Sequence, residues 1–305
     1  MRDFIGPALT DLGRLRSDFF VVDADNGAAT RIRSFGDVYP ERYINVGCAE
    51  QNLAGVSAGL ALSGSPVIAS TFSVFLLGRA YDQIRNTIAA SHLPVVLLGT
   101  HAGLSTGADG GSHCCPEDLA LMRALPGMQV LIPACGEDVP RMLEHALSTD
   151  GPTYIRVSRN DVWDVPPATP HKLDLKNPDL RCWRNGTDIA LVTVGLMLPR
   201  VLAAAKVLSM QGISAAVYDI PNLNLEVKAT RDALEKFQRV VTVEDHWPAG
   251  GIGEMIANII AGAPNVTFCS VTAAQRFPSS GEVSEVLDDM GLRVQDIISA
   301  AALTP

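Results

Sequence analysis

The sequence predicts an α/β protein built from two doubly wound domains. Short apolar runs rich in β-branched residues alternate along the chain with segments whose apolar residues recur at helical spacing. This alternation is typical of βαβ units, whose strands pair in a mostly parallel sheet. A proline-rich, charged segment at residues 160–186 interrupts the pattern, which then resumes. We therefore expect a first domain at 1–162, a linker at 163–184 and a smaller second domain at 185–305.

The individual elements follow the chain in order. In the first domain, buried strands are predicted at residues 19–24, 65–70, 93–99, 128–134 and 153–158, and helices at 50–62, 75–90, 116–125 and 136–147. In the second domain, strands are predicted at 188–195, 213–220, 240–246 and 266–271, with helices at 199–210, 230–237, 251–262 and in the C-terminal tail. The segment 160–186 has room for a short strand pair.

Composition and charge narrow the classes of function. The net charge is −9 and the 24 basic residues are scattered, which argues against a nucleic-acid partner, because such binding needs clustered Lys and Arg. The N terminus lacks the pattern of a leader peptide, and the sequence has no uninterrupted apolar run of about 18 residues. We expect no membrane span and a cytoplasmic location. The six cysteines show no CxxC spacing and are interpreted as free thiols.

Glu50 stands where the strand-like sequence YINVG (43–47) gives way to a helix of small apolar residues. In open α/β sheets, ligands bind where strands end and helices begin. A helix also favours a glutamate in its first turn for electrostatic reasons alone. From the residues alone, both explanations of Glu50 remain open.

A glycine-rich stretch at residues 99–120 follows a predicted strand and contains His101, Asp109 and His113. Polar loops of this length between a strand and a helix are uncommon unless they serve a site. The alternative is a mobile surface loop without a function. The sequence by itself does not choose between the two.

Three further residues have both a functional and a structural explanation. Phe72 and Phe75 are three residues apart, which places both rings on one side of a helical turn, where they could bind a ligand or pack in the core. Arg159 ends a predicted strand. Its guanidinium could hold a phosphate or pair with a surface acid.

Four motifs together resemble the pyrimidine-binding domain of transketolases. They are RYINVGCAEQNLAGVSAGLALSG, STFSVF, GADGGSHCCPEDLALMRALPGM and DGPTYIRVSRN, in this order and spacing, and residues 185–305 resemble the C-terminal domain of the same family. The resemblance covers essentially the whole chain. It implies an enzyme that depends on thiamine diphosphate and transfers a two-carbon ketol unit between sugar phosphates.

The resemblance assigns roles to the cofactor-binding residues. It implies that Glu50 hydrogen-bonds N1′ of the aminopyrimidine as a carboxyl group kept protonated by burial, with the helix N terminus opposing this. Phe72 and Phe75 match an aromatic pocket whose ring stacks on the pyrimidine. Asp25 is also placed among the cofactor contacts. His113 matches the catalytic histidine that moves protons at the substrate hydroxyls.

The substrate contacts follow in the same way. Asp109 matches an aspartate that binds a sugar hydroxyl, and His101, Arg159 and Arg2 match three phosphate contacts. The chain departs from the family pattern at Ala29, where a serine normally contacts the same phosphate, and at Cys114, where a glutamine is common. Both departures concern the substrate and leave the cofactor assignment unaffected.

The family binds its diphosphate through a divalent metal held by a GDG turn and a following asparagine, and this chain contains no GDG. The resemblance therefore implies a partner subunit that binds the diphosphate and Mg²⁺, a two-plus-two heterotetramer, and no activity for this chain alone. Two alternatives stay open. One is the β subunit of a 2-oxo-acid dehydrogenase or a deoxyxylulose-phosphate-synthase-like enzyme, and the other is a non-catalytic subunit of the same fold.

Overall fold

A computed structural model describes residues 1–159, 173–176 and 178–302. Half of the predicted linker, 163–184, lies outside these residues. Its last four residues, Arg181–Arg184, form a strand that belongs to the second sheet. None of the helices in the described ranges is both long and apolar enough to cross a membrane.

The first sheet has six strands, and all of its pairs are parallel. They are β1 (Phe20–Asp23), β2 (Tyr43–Asn45), β3 (Val67–Phe72), β4 (Val95–Thr100), β5 (Gln129–Leu131) and β6 (Thr153–Val157), arranged in the order β2-β1-β3-β4-β6-β5. The predicted parallel α/β sheet is therefore confirmed. Because β1 lies inside the sheet and the chain moves outward from it in both directions, the fold is doubly wound.

Helices cover both faces of this sheet. They are α1 (Ile5–Leu15), α2 (Gly27–Thr30), α3 (Arg33–Val38), α4 (Glu50–Leu62), α5 (Ser73–Gln83), which continues as a π-helical segment (Ile84–Ala89), α6 (Asp118–Arg123) and α7 (Asp138–Ala146). Neighbouring strand residues point to opposite faces. Val22 thus packs in one apolar cluster with Leu53, while Val21 packs in another with Leu9.

The second sheet has five strands. They are β7 (Arg181–Arg184), β8 (Ile189–Thr193), β9 (Ala215–Asp219), β10 (Arg239–Glu244) and β11 (Thr267–Thr272), in the order β11-β10-β8-β9-β7 with β7 antiparallel. The accompanying helices are α8 (Leu198–Met210), α9 (Val227–Leu234), α10 (Ile252–Ile260), α11 (Val283–Asp289) and α12 (Val294–Ala302). The edge strand β5 meets this domain through backbone hydrogen bonds at Ile132 and Leu223, so the two domains pack directly against each other.

Glu244, at the end of β10, is a fully buried carboxyl group. Its oxygens accept hydrogen bonds from the backbone N–H groups of Ile252 and Gly253 at the start of α10, at 2.7 and 2.9 Å. Burial raises the pKa of Glu244 from its ordinary 4.5 to about 7. The buried group therefore favours the protonated form until the pH approaches neutrality.

We expect this group to make the protein less stable as the pH rises. A carboxyl whose pKa is higher in the folded state stabilises the fold below its unfolded pKa, and that contribution is lost as the pH passes the folded pKa. Between pH 4.5 and 7, the free energy of unfolding should fall by about 3 kcal/mol relative to Glu244→Gln. Urea denaturation of both proteins across this range measures the difference. Parallel pH profiles would contradict the assignment.

Candidate active site

Apart from Arg2, which precedes the first strand, the predicted site residues lie at or just after the carboxyl ends of the parallel strands, which share one edge of the first sheet. Glu50 is the first residue of α4 and is 5% exposed. Its Oε1 accepts a hydrogen bond from Nη1 of Arg79 at 2.8 Å. Burial of Glu50 agrees with the sequence-based expectation, but this arginine partner was not anticipated. Arg79 stands four residues after Phe75 on α5, a spacing that could have indicated it.

An aromatic stack lies beside this ion pair. The rings of Phe72 and Phe75 are nearly parallel, with centroids 5.5 Å apart. His101 stacks on Phe72 with centroids 3.7 Å apart, and the Arg79 guanidinium lies 4.3 Å from the Phe75 centroid. Phe72 is the last residue of β3 and not part of a helix, so the expectation of a shared helical turn was wrong. The bend from strand to helix brings the two rings together instead.

His113 approaches the same stack edge-on. Its ring centroid is 5.1 Å from that of Phe75, with an angle of 72° between the ring planes. Its Nδ1 lies 3.0 Å from Oγ of Ser112, and its carbonyl accepts a hydrogen bond from Thr106. Residues 101–107 of this glycine-rich segment are buried. The segment is therefore packed into the protein, and the alternative of a free surface loop does not apply to it.

His101 is buried and strained at the end of β4. Its φ of 56° lies in the left-handed region, which is costly for a residue with a side chain. Burial, and then the charge of Arg2, lower the pKa of His101 to about 3. Arg2 has only donors, so Nε2 of the neutral ring accepts from Arg2 at 3.2 Å and Nδ1–H donates to Oγ1 of Thr100 at 3.0 Å.

Arg159 and Asp109 form an ion pair with each other at 3.0 Å. Arg159 also donates to the carbonyl of Thr106 at 2.6 Å. The sequence left open whether Arg159 binds a phosphate or pairs with an acid. In the structure it pairs with an acid, and that acid is the residue proposed to bind a sugar hydroxyl.

Positive charge accumulates next to this pair. Burial and then the charges of Arg31 and Arg159 lower the pKa of Arg2. Arg2 donates to the carbonyl of Ala29 at 3.1 Å, so the position that lacks the family's serine lies beside these cations. Such a group of guanidinium donors is suited to a phosphate.

Asp25 is the predicted site residue that stands apart. It is exposed, has a positive φ of 63°, and accepts a hydrogen bond from Nδ2 of Asn45 at 2.9 Å. Its neighbour Asn26 reaches Oγ1 of Thr71 at the end of β3. No described contact joins Asp25 itself to the aromatic stack. Within the described ranges, no group of three or more His, Cys, Asp or Glu side chains could hold a metal ion.

Fold and site together define a two-domain α/β protein whose carboxyl, aromatic and imidazole groups gather at the carboxyl edge of the first sheet. Residues 1–163 match the family model of the transketolase pyrimidine-binding domain, and residues 180–297 match that of the transketolase C-terminal domain. The chain belongs to the transketolase family.

Relatives of this chain are of two lengths. A protein of Methanocaldococcus jannaschii, named as a transketolase C-terminal section, is 34% identical over 97% of this chain and 93% of its own length. The 1-deoxy-D-xylulose-5-phosphate synthase of Rhodococcus jostii is 36% identical over 95% of this chain, which spans only 44% of that enzyme. A solved split-gene transketolase, in an inactive beta4 tetramer, is 35% identical with a TM-score of 0.86 and covers 98% of this chain and 96% of its own.

Proposed function

We propose that this chain is the pyrimidine-binding subunit of a two-chain transketolase, acting in the cytoplasm on sugar phosphates. The observation that carries the proposal is a set of three linked contacts. Arg79 hydrogen-bonds Glu50 and lies over the ring of Phe75, and the ring of His113 makes an edge contact with Phe75. A carboxyl group, an aromatic face and an imidazole are thus gathered within one site. These are the groups that an aminopyrimidine and a hydroxylated substrate require.

The residues present fit the pyrimidine half of thiamine diphosphate. When bound, this cofactor supplies the carbon nucleophile that accepts the ketol unit. Glu50 would hold a proton at N1′ of the pyrimidine, and Phe75, supported by Phe72, would stack on its face. Arg79 now makes both of these contacts, since it donates to Glu50 and covers Phe75. It must release them for the pyrimidine to bind.

His113 and Asp109 would act on the substrate. His113 is half-buried and its Nδ1 is already in contact with Ser112, so Nε2 is the atom that can exchange a proton with a substrate hydroxyl. Asp109 would accept a hydrogen bond from a second hydroxyl and thereby select its configuration. When it does so, its present partner Arg159 becomes available to the phosphate, together with Arg2. The ring nitrogens of His101 already bond Arg2 and Thr100, so His101 would donate to the phosphate only after Arg2 leaves Nε2 and that nitrogen carries the proton.

The diphosphate and Mg²⁺ would be held by a partner subunit in a two-plus-two heterotetramer. Two observations support this arrangement. The relative from Methanocaldococcus jannaschii is a C-terminal section of similar length, and the solved beta4 tetramer of a split-gene transketolase is described as inactive. The half-site seen here offers contacts for a pyrimidine and a sugar phosphate. A diphosphate with its metal needs further oxygen ligands.

The test is an assay of the complex formed with the diphosphate-binding subunit. Ketol transfer from a ketose phosphate to an aldose phosphate supports the proposal. Decarboxylation of a 2-oxo acid followed by condensation with an aldose phosphate would favour the synthase-like alternative. That alternative is tested because the Rhodococcus jostii relative is such a synthase. Asp109, as a proposed hydroxyl-binding group, and the two histidines favour ketol transfer over a 2-oxo-acid dehydrogenase, because a 2-oxo acid has no hydroxyls that require stereoselective contacts.

Arg159→Ala is expected to raise the KM for phosphorylated ketoses by about 10- to 100-fold, with a smaller effect on kcat, because charged hydrogen bonds contribute about 1.5–3 kcal/mol. Steady-state kinetics of the complex with matched phosphorylated and unphosphorylated ketoses measures the effect. Unphosphorylated ketoses serve as the control and should be little affected. An equal loss with both substrates would mean that Arg159 only supports Asp109 and Thr106.

A further inference from the structure

A network of buried polar side chains extends from the second domain to the proposed active site. Arg156, on β6, is 2% exposed and lies between two fully buried aspartates. Its Nη1 is 2.7 Å from Oδ1 of Asp245, the residue that follows β10, and its Nε is 2.8 Å from Oδ2 of Asp118, the first residue of α6. Each domain therefore contributes one carboxylate to the same guanidinium. Burying charges is costly, so such a group requires an explanation.

In the first domain, this polar network contacts the elements that carry the site. The Tyr154 hydroxyl lies 2.9 Å from Oδ2 of Asp118 and 2.9 Å from Oγ of Ser73. Ser73 begins α5 between the two phenylalanines of the aromatic stack. Strand β6, which carries Arg156, leads within three residues to Arg159. The polar network thus supports both the aromatic stack and the proposed phosphate contact.

The second-domain end holds the segment that carries His113. Oδ2 of Asp245 accepts a hydrogen bond from the backbone N–H of Leu104 at 3.3 Å. Two residues later, the N–H of Trp247 donates to the carbonyl of Pro116 at 2.8 Å. The segment between Leu104 and Pro116 is therefore attached to the second domain at both ends.

The contact at Gly103 leaves no room for a side chain. A Cβ atom there would lie 2.0 Å from Oδ2 of Asp245 and 2.4 Å from Nη2 of Arg156, and the φ of Gly103 is +57°. Farther along, a Cβ at Gly110 would lie 2.5 Å from Oγ of Ser280, and one at Gly111 would lie 2.8 Å from the carbonyl of Pro278. The backbone of residues 103–116, which we call the catalytic segment, is thus in direct contact with the second domain at several points along its length.

We propose that the second domain positions the catalytic segment, and that Asp245 is the positioning residue through which it does so. The inference rests on the proposed function, because the segment matters for catalysis only if His113 and Asp109 act on substrate. Asp245 touches neither the cofactor nor the substrate groups. It fixes the backbone that presents them, at one end through Leu104 and, through Arg156, relative to the aromatic stack.

The chain offers a matched control. Arg181, on β7, lies between Asp138 of the first domain and Asp219 of the second, with Nη2 2.8 Å from an oxygen of each. This is the same construction, one arginine between two carboxylates from different domains and almost fully buried. Asp138 bonds the backbone of Ala134 and contacts none of the site residues. Loss of either cluster weakens the domain interface, but only the Arg156 cluster contacts the catalytic segment.

The experiment compares Asp245→Asn with Asp138→Asn, each assembled with the diphosphate-binding subunit. Both substitutions should lower the Tm. Asp245→Asn should lower kcat by about 10- to 100-fold, because small displacements of reacting groups are costly, and it should accelerate amide hydrogen exchange in residues 103–113. Asp138→Asn should change neither kcat nor exchange in that segment. Equal behaviour of the two variants would overturn the proposal.

A milder variant covers the case in which Asp245→Asn does not fold. Val283→Ala truncates a side chain whose Cγ2 lies 3.0 Å from the place of a Cβ on Gly107. It should show a smaller loss of kcat with faster exchange in the same segment, and unchanged exchange there would overturn the proposal. Should the complex lack ketol transfer altogether while exchange still accelerates in Asp245→Asn, the proposed function fails and the positioning of the segment stands.

Discussion

Glu50→Gln is expected to lower the turnover of the assembled enzyme by about 100-fold or more, the scale on which proton transfer by a positioned group contributes. The fold should remain intact. Glutamine has nearly the same shape and its amide oxygen can still accept the hydrogen bond from Arg79, which is itself 55% exposed. What is lost is the acidic proton that the pyrimidine nitrogen requires. The measurement is kcat with saturating thiamine diphosphate, Mg²⁺ and both sugar phosphates.

The control is Glu41→Gln. Glu41 lies nine residues before Glu50, and its exposed carboxylate is paired with Arg42. This substitution makes the same chemical change outside the site and should leave kcat unaltered. Near-normal turnover by Glu50→Gln would mean that Glu50 is only a helix N-terminal residue paired with Arg79. The first explanation of its position, as a ligand-binding group, would then be withdrawn.

Much of the fold could be predicted because alternation of strands and helices is a local signal. The strands predicted at 93–99 and 153–158, for example, are found as Val95–Thr100 and Thr153–Val157. Helix α1 was not predicted as an element. A short strand pair was expected within 160–186, and β7 lies there, but its partner is β9 of the second domain. Arg181–Arg184 follows a proline-rich segment, and only pairing with β9 in the folded chain makes it a strand. Its pairing partner lies more than 30 residues later in the sequence.

The site was predictable where strand ends mark it and less so where side chains meet across the fold. Phe72, Phe75, His101 and His113 do come together, as the strand-end positions and the family resemblance indicate. Asp245 was missed, because its relation to Arg156 depends on how two domains pack. The partners within the site were also unforeseen. Nothing local in the sequence shows that Arg159 would pair with Asp109, 50 residues earlier.

The isolated chain, supplied with thiamine diphosphate and Mg²⁺, is expected to have no measurable transketolase activity, and addition of the diphosphate-binding subunit should restore it. The contacts available here are a stacking face, contributing about 0.5–1.5 kcal/mol, and a hydrogen bond of about the same size. Together they amount to about 3 kcal/mol at most, which corresponds to a Kd of about 6 mM or weaker. Displacing Arg79 from Glu50 and Phe75 weakens the binding further.

The surface around the site is consistent with a missing neighbour. On α4, Gly55 and Gly59 have open space where a side chain would be, and Leu62 is 70% exposed near the end of the same helix. Calorimetric titration of thiamine diphosphate into the chain alone, and then into the complex, measures the difference. We expect weak, Mg²⁺-independent binding without the partner and tight, Mg²⁺-dependent binding with it. Tight binding and turnover by the chain alone would require a complete diphosphate site within these 305 residues, and the two-chain proposal would be wrong.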